Sequence, residues 1–144
     1  MKAAVYHSLD DIRVEEMPKP KIGPDEILVE MKACGICGSD LMEWYLKNRA
    51  PLVLGHEPSG VIVEVGDKVE NFKPGERVFV HHHVACLTCH YCLRGDYTMC
   101  EKFGEAHIQL GGFAERFKVP APNLQIDTLK IPGNVSFEEA TLIE

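Results

Sequence analysis

Apolar and polar positions alternate in short bursts through the first part of the chain. Lys2-Ala-Ala-Val-Tyr6, Ile12-Arg-Val14 and Glu26-Ile-Leu-Val-Glu30 are β-prone runs divided by Asp10-Asp11 and by the proline-rich segment Pro18 to Pro24, so residues 1–29 are predicted to be extended. The period then changes. Asp40-Leu-Met-Glu-Trp-Tyr-Leu-Lys47 carries good helix formers with apolar residues three and four apart, which predicts a helix opening after Ser39 and ended by Pro51. Gly60-Val-Ile-Val-Glu-Val-Gly66 predicts a buried strand entering a turn. Val69, the turn Phe72-Lys-Pro-Gly75 and the strand Arg77-Val-Phe-Val80 follow. Gly111 to Val119 alternates well enough for a further strand, stopped by Pro120 and Pro122. Many short strands punctuated by glycine and proline predict a mainly β fold with a few short helices, closed or nearly closed into a barrel. Near the end, Ser136 and Glu139 have capping-box spacing, and Ala140 to Glu144 continues the helix without a C-terminal cap. A helix of that length is marginal by itself, so residues 1–144 are expected to be the front part of a longer protein.

Composition narrows the classes of function. With 144 residues, 45% apolar and 26% charged, the chain has the make-up of one globular domain. The formal net charge of −7 argues against a nucleic acid or an anionic membrane as partner, and no apolar run is long enough to cross a bilayer. Six cysteines without a secretory signal point to metal ligation in the cytoplasm.

Four of those cysteines form the strongest chemical signal. Cys86, Cys89, Cys92 and Cys100, separated by two, two and seven residues, can place four sulfurs around one structural Zn²⁺ with no open position. Disulfides would need an oxidising compartment, and a redox Cys-x-x-Cys belongs beside a βαβ unit that is not evident here. Four thiolates leave the ion with net negative charge, which Arg94 and Lys102 are expected to offset.

A second group, Cys34-Gly-Ile-Cys37-Gly-Ser-Asp40 with Gly55-His56-Glu57-Pro-Ser-Gly60, is rich in ligand types. Catalytic zinc takes three protein ligands and keeps one position open; Cys37 and His56 supply two. The third is Glu57 or Glu144. In a regular strand His56 and Glu57 would face opposite ways, so Glu57 can join only if the backbone bends between Gly55 and Pro58. One carboxylate keeps the site neutral, so the other glutamate should wait nearby or exchange with water. His81-His-His83 follows a strand in which neighbours alternate, and is given little weight as a metal site. Cys34 is read as a small buried residue, Trp44 as core packing, and His7 and His107 as surface or packed residues.

Together, Cys37-Gly-Ser-Asp40, Gly55-His56-Glu57, Gly60, Gly66, Val69 and the four-cysteine loop resemble the zinc-dependent medium-chain alcohol and polyol dehydrogenases along the whole chain. The resemblance implies a GroES-like β barrel, followed in the parent by a Rossmann domain for NAD or NADP. It implies catalytic zinc on Cys37 and His56, with Glu57 as a neighbouring or exchanging ligand and Glu144 near the metal. Asp40 would orient His56, and Ser39 would take the substrate proton. The implied reaction is hydride transfer from a small alcohol or polyol to nicotinamide, with zinc polarising the hydroxyl, in a homo-oligomeric enzyme. The family often carries a histidine where this chain has Met42, so proton exit from Ser39 needs another route. Met42 and Glu144 favour polyol, sugar or threonine dehydrogenases. No Gly-x-Gly-x-x-Gly follows a strand, so the 144 residues alone are expected to be inactive. A non-catalytic, chaperone-like barrel is the rival reading, and it predicts one zinc per chain in place of two.

Overall fold

The computed structural model describes residues 1–144. Eight strands form two antiparallel sheets: β1 (Lys2–Ser8), β2 (Asp11–Glu16), β3 (Ile27–Gly35), β4 (Leu52–Val53), β5 (Glu57–Val65), β6 (Arg77–Val80), β7 (Arg116–Val119) and β8 (Thr128–Lys130). The order is β2-β1-β4 in one sheet and β7-β3-β5-β6-β8 in the other. The sheets are stitched together by the segment just before β7. There Ala4 N donates to Phe113 O (2.8 Å), Glu115 N donates to Lys2 O (3.0 Å), and Ala3 bridges Ala114. The result is the nearly closed barrel that the short strands predicted.

β3 and β5 form the spine. Their register shifts between Leu28 and Val29 and again between Met31 and Ala33, and bulges of this kind bend a strand so that a sheet can curl. Gly60 faces Met31 across this pair, and a Cβ there would lie 2.2 Å from the Glu30 carbonyl oxygen, so only glycine allows the strands to approach so closely. Apolar side chains on the inner faces make the main core, in which Ile27, Val29, Ile62, Val78, Val80, Phe117 and Val119 are essentially inaccessible.

Three short helices lie outside the sheets: α1 (Glu43–Leu46), α2 (Ala121–Ile126) and α3 (Phe137–Ala140). The helix predicted from Asp40 to Lys47 is divided into a 3₁₀ turn, Gly38–Leu41, and α1. Met42, with ψ of 86°, breaks it, because Asp40 is drawn inward to bind the Cys37 backbone and His56. Trp44 is not core, as predicted, but 72% exposed; Leu46 supplies the inward anchor against Tyr6 and Leu54. The strand predicted over 111–119 shrinks to β7. Gly112 and Phe113 instead bind Gly55 O (2.7 Å) and Leu54 O (3.0 Å). Pro120 and Pro122 do not merely end that strand; they open α2, whose first turn needs no amide from Pro122.

The capping box predicted at the last helix is formed. Glu139 N donates to Ser136 Oγ (3.1 Å) and Ser136 N to Glu139 Oε2 (2.8 Å). α3 is fastened to the sheet by Ser59, which is fully buried and donates to Phe137 O at 2.8 Å. Ser59→Ala should cost about 1 kcal/mol, the usual net worth of one such bond, seen as a lower urea midpoint at unchanged m value.

Candidate functional site

The cysteine loop leaves β6 and has little regular structure beyond two 3₁₀ turns, Cys92–Arg94 and Tyr97–Met99. It nevertheless brings Cys86, Cys89, Cys92 and Cys100 together, with their four sulfurs within 4.8 Å of one another. Cys92 Sγ is 3.9 Å from Cys86 Sγ and 3.6 Å from Cys89 Sγ. Four sulfurs about 2.3 Å from one tetrahedral ion would be separated by about 3.8 Å, so the donor set fits Zn²⁺. Backbone amides meet the sulfur charge: Cys86 N donates to Cys100 Sγ (3.2 Å), Cys89 N to Cys86 Sγ (3.3 Å) and Lys102 N to Cys100 Sγ (3.4 Å). Hydrogen bonds from Thr88 draw the Cys86 thiol down to about 6, whereas burial pushes Cys92 up to about 12. Arg94 turns its exposed guanidinium to Asp96, 3.9 Å away. Lys102 contributes its backbone amide to the loop.

The second centre lies where β3 ends and β5 begins. Gly55 takes φ of 88°, a left-handed turn that favours glycine, and His56 and Glu57 follow it at the mouth of β5. This supplies the bend needed for neighbouring side chains to serve one site. The ligand atoms of Cys37, His56 and Glu57 all lie within 4.8 Å of one another. Asp40, only 6% exposed, sits behind them, its Oδ1 3.4 Å from His56 Nδ1 and its Oδ2 accepting from Cys37 N at 3.1 Å. Ser39 Oγ is 3.4 Å from His56 Nε2. The hydrogen bond to Asp40 lifts His56 to about 9, and hydrogen bonding with Ser39 lowers the Cys37 thiol. Cys34, predicted to be a small buried residue, is half-buried, and desolvation pushes its thiol up to about 12.

Cys37, Ser39, Asp40 and His56 open onto a cleft of about 830 Å³ whose walls include Tyr45, Arg49, His82, His83 and Glu144. One thiolate and one imidazole on the cleft wall, with the Glu57 carboxylate within 4.8 Å of both, fit a catalytic Zn²⁺ with one position left for an incoming oxygen. Glu144 stands apart from the Cys37, His56 and Glu57 group. Its Oε1 is 3.1 Å from His81 Nε2 and 3.4 Å from His82 Nδ1. Burial would raise its carboxyl, yet the imidazoles of His81 and His82 beside it hold it at about 2. The strand alternation behind the low weight given to His81-His-His83 does not reach it: β6 stops at Val80, and ligand nitrogens of all three gather within 4.8 Å. The usable signal was the position of the run, between a strand end and the first cysteine of the loop.

Residues 23–132 match the alcohol dehydrogenase GroES-like domain. An alcohol dehydrogenase of Geobacillus stearothermophilus is 43% identical over 150 residues, a match covering 99% of this chain and 43% of that protein. A sorbitol dehydrogenase of Bacillus subtilis is 40% identical, over 100% of this chain and 42% of its own length. Among solved structures, galactitol-1-phosphate dehydrogenase from Escherichia coli superposes with a TM-score of 0.83 at 34% identity, covering 100% of this chain and 42% of that one. The chain therefore spans less than half the length of these relatives. By sequence match and by fold alike, it belongs to the alcohol dehydrogenase GroES-like domain family.

Proposed function

We propose that this chain is the catalytic-domain portion of a zinc-dependent NAD(P) dehydrogenase acting on a small alcohol or polyol. The supporting observation is the convergence of the ligand atoms of Cys37, His56 and Glu57 within 4.8 Å of one another, with Ser39 and Asp40 each 3.4 Å from a different nitrogen of the same imidazole. A zinc ion held there would supply Lewis acidity at the substrate hydroxyl. Asp40 Oδ1, 3.4 Å from His56 Nδ1, favours the tautomer protonated at Nδ1 and leaves the Nε2 lone pair for the metal side. Glu57 is the carboxylate that shares the site with Cys37 and His56, and Glu144 lines the cleft beside it. Ser39 is placed to receive the hydroxyl proton and pass it to water in the cleft, since Met42 offers no titratable group. Nicotinamide would be held by a part of the parent enzyme beyond these 144 residues, so the isolated chain should not reduce NAD or NADP. Structural zinc in the four-cysteine loop would hold the adjoining wall.

Cys37→Ser should remove about one zinc per chain while the four-cysteine loop keeps its own. In the cobalt-substituted chain, a small alcohol should shift the visible bands of the Cys37 centre, and Cys37→Ser should abolish that response. A chaperone-like barrel predicts neither change, so an unaltered metal content would exclude the dehydrogenase reading.

A further inference from the structure

One side chain on the cleft wall has a charge that nothing in the molecule answers. Arg13, Arg94 and Arg116 face Asp11, Asp96 and Glu30, and Arg77 donates to Val135 O at 2.7 Å, whereas Arg49 makes no ion pair and no hydrogen bond. This holds in a chain where 22 acidic residues outnumber 15 basic ones. Arg49 is exposed, yet its guanidinium carbon lies 4.8 Å from the centroid of the Tyr45 ring, a contact over the ring face that limits where the fork can go. The segment carrying both is anchored from beneath. Leu46 is buried against Tyr6 and Leu54, and Arg49 N and Ala50 N donate to Leu46 O at 2.8 and 3.2 Å. Tyr45 and Arg49 line the same cleft as Cys37, Ser39 and His56.

The two acidic side chains of the cleft are already matched, Asp40 lying 3.4 Å from His56 and Glu144 lying 3.1 Å from His81. We infer that Arg49, held on Tyr45, is a specificity residue that receives an oxyanion at the far end of the substrate, so that the cleft takes a polyol carrying a terminal phosphate or carboxylate. The inference rests on the reading of the Cys37 centre as the end that takes the reacting hydroxyl. A guanidinium presents a planar fork of N–H donors that matches two oxygens of either group, and it stays charged throughout the physiological pH range. A cleft of about 830 Å³ is larger than one reacting carbon and its hydroxyl need, which leaves length for further hydroxyl-bearing carbons between the two ends. Leu52, Leu54, Phe103 and Ile108 supply apolar wall, and Arg49 is the one permanently cationic side chain lining the cleft.

The test titrates the cobalt-substituted 144-residue chain with glycerol, glycerol 3-phosphate and glycerate, and reads the midpoint of the visible-band shift. Glycerol 3-phosphate or glycerate should act at a concentration roughly tenfold or more below that of glycerol, and the stronger of the two identifies the anion. Arg49→Gln should bring that ligand to the midpoint of glycerol. Arg49→Lys, which keeps the charge without the fork, should recover part of the preference. Equal midpoints for the three ligands in the unaltered chain would overturn the proposal and leave the Cys37 reading standing. A preference that survives Arg49→Gln would do the same, because the anion would then sit on the metal. If no ligand moves the bands, the Cys37 reading fails, and the NMR signal of the Arg49 Nε–H group decides the anion seat separately. A shift with glycerol 3-phosphate or glycerate that glycerol does not produce, retained in Cys37→Ser, supports the seat; an unmoved signal removes it.

Discussion

Cys92→Ser should empty the four-cysteine loop and release most of residues 86–103 from their ordered path while the barrel stays folded. The size of the effect follows from what else holds the loop. Its own cluster is small, with Ala85, Cys92 and Cys100 buried and Cys86, Cys89 and Phe103 packed on them, so the ligand atoms themselves supply much of its interior. Metal binding to structural sites of this kind is worth about 10–16 kcal/mol in small zinc peptides, and here it would be the main force opposing the loop's conformational entropy. The barrel core is a separate cluster that includes none of the four cysteines. Zinc content should fall by about one per chain, and amide exchange should accelerate by orders of magnitude over 86–103 with β3 and β5 still protected. Retained zinc with a protected loop would show that the loop is held by something other than its sulfurs. Because the loop adjoins His81-His-His83, partial loss of order in the cleft wall is expected to accompany its release.

Phe117→Ala should lower stability by about 3–5 kcal/mol, the range for removing a buried ring and leaving a cavity that its neighbours cannot fill. Phe117 is fully buried, faces Val29 across the β3–β7 pair, and packs with Ile27, Ile62, Val78 and Val80 from three other strands. Each of those strands is fixed by its own ladder, so collapse into the void is resisted from every side. Domains of this size are stable by only about 5–15 kcal/mol, so the variant should melt roughly 10 °C lower or unfold outright. Thermal melting followed by circular dichroism measures it. A shift of only a degree or two would mean that the ring contributes little to closing the barrel.

The elements that were legible in the sequence are those whose cause is local. The inner strands could be read because alternation is a property of adjacent residues, and the capping box at Ser136 and Glu139 because it spans three. The cysteine loop could be read because ligands close in sequence cannot be far apart in space. α1 was misjudged because the helical period of residues 40–47 competes with a distant demand: Asp40 is needed behind His56 and is pulled out of line. Trp44 follows from the same event, since the turn at Met42 rotates it outward and leaves Leu46 as the anchor. α2 was missed because a proline stop and a proline start look alike until the chain direction beyond them is known.

By itself, then, the sequence determined a β barrel with a four-sulfur loop and a cysteine, histidine and glutamate set suited to an open metal position. Only the tertiary structure decided how the two glutamates divide, placing Glu57 with Cys37 and His56 and Glu144 with His81 and His82. It also gathered ligand nitrogens of His81, His82 and His83 within 4.8 Å of one another. The physical reason is separation along the chain. Spacing within a loop or strand limits where neighbouring atoms can go, but residues as far apart as His81 and Glu144 meet only through the path that the barrel imposes between them.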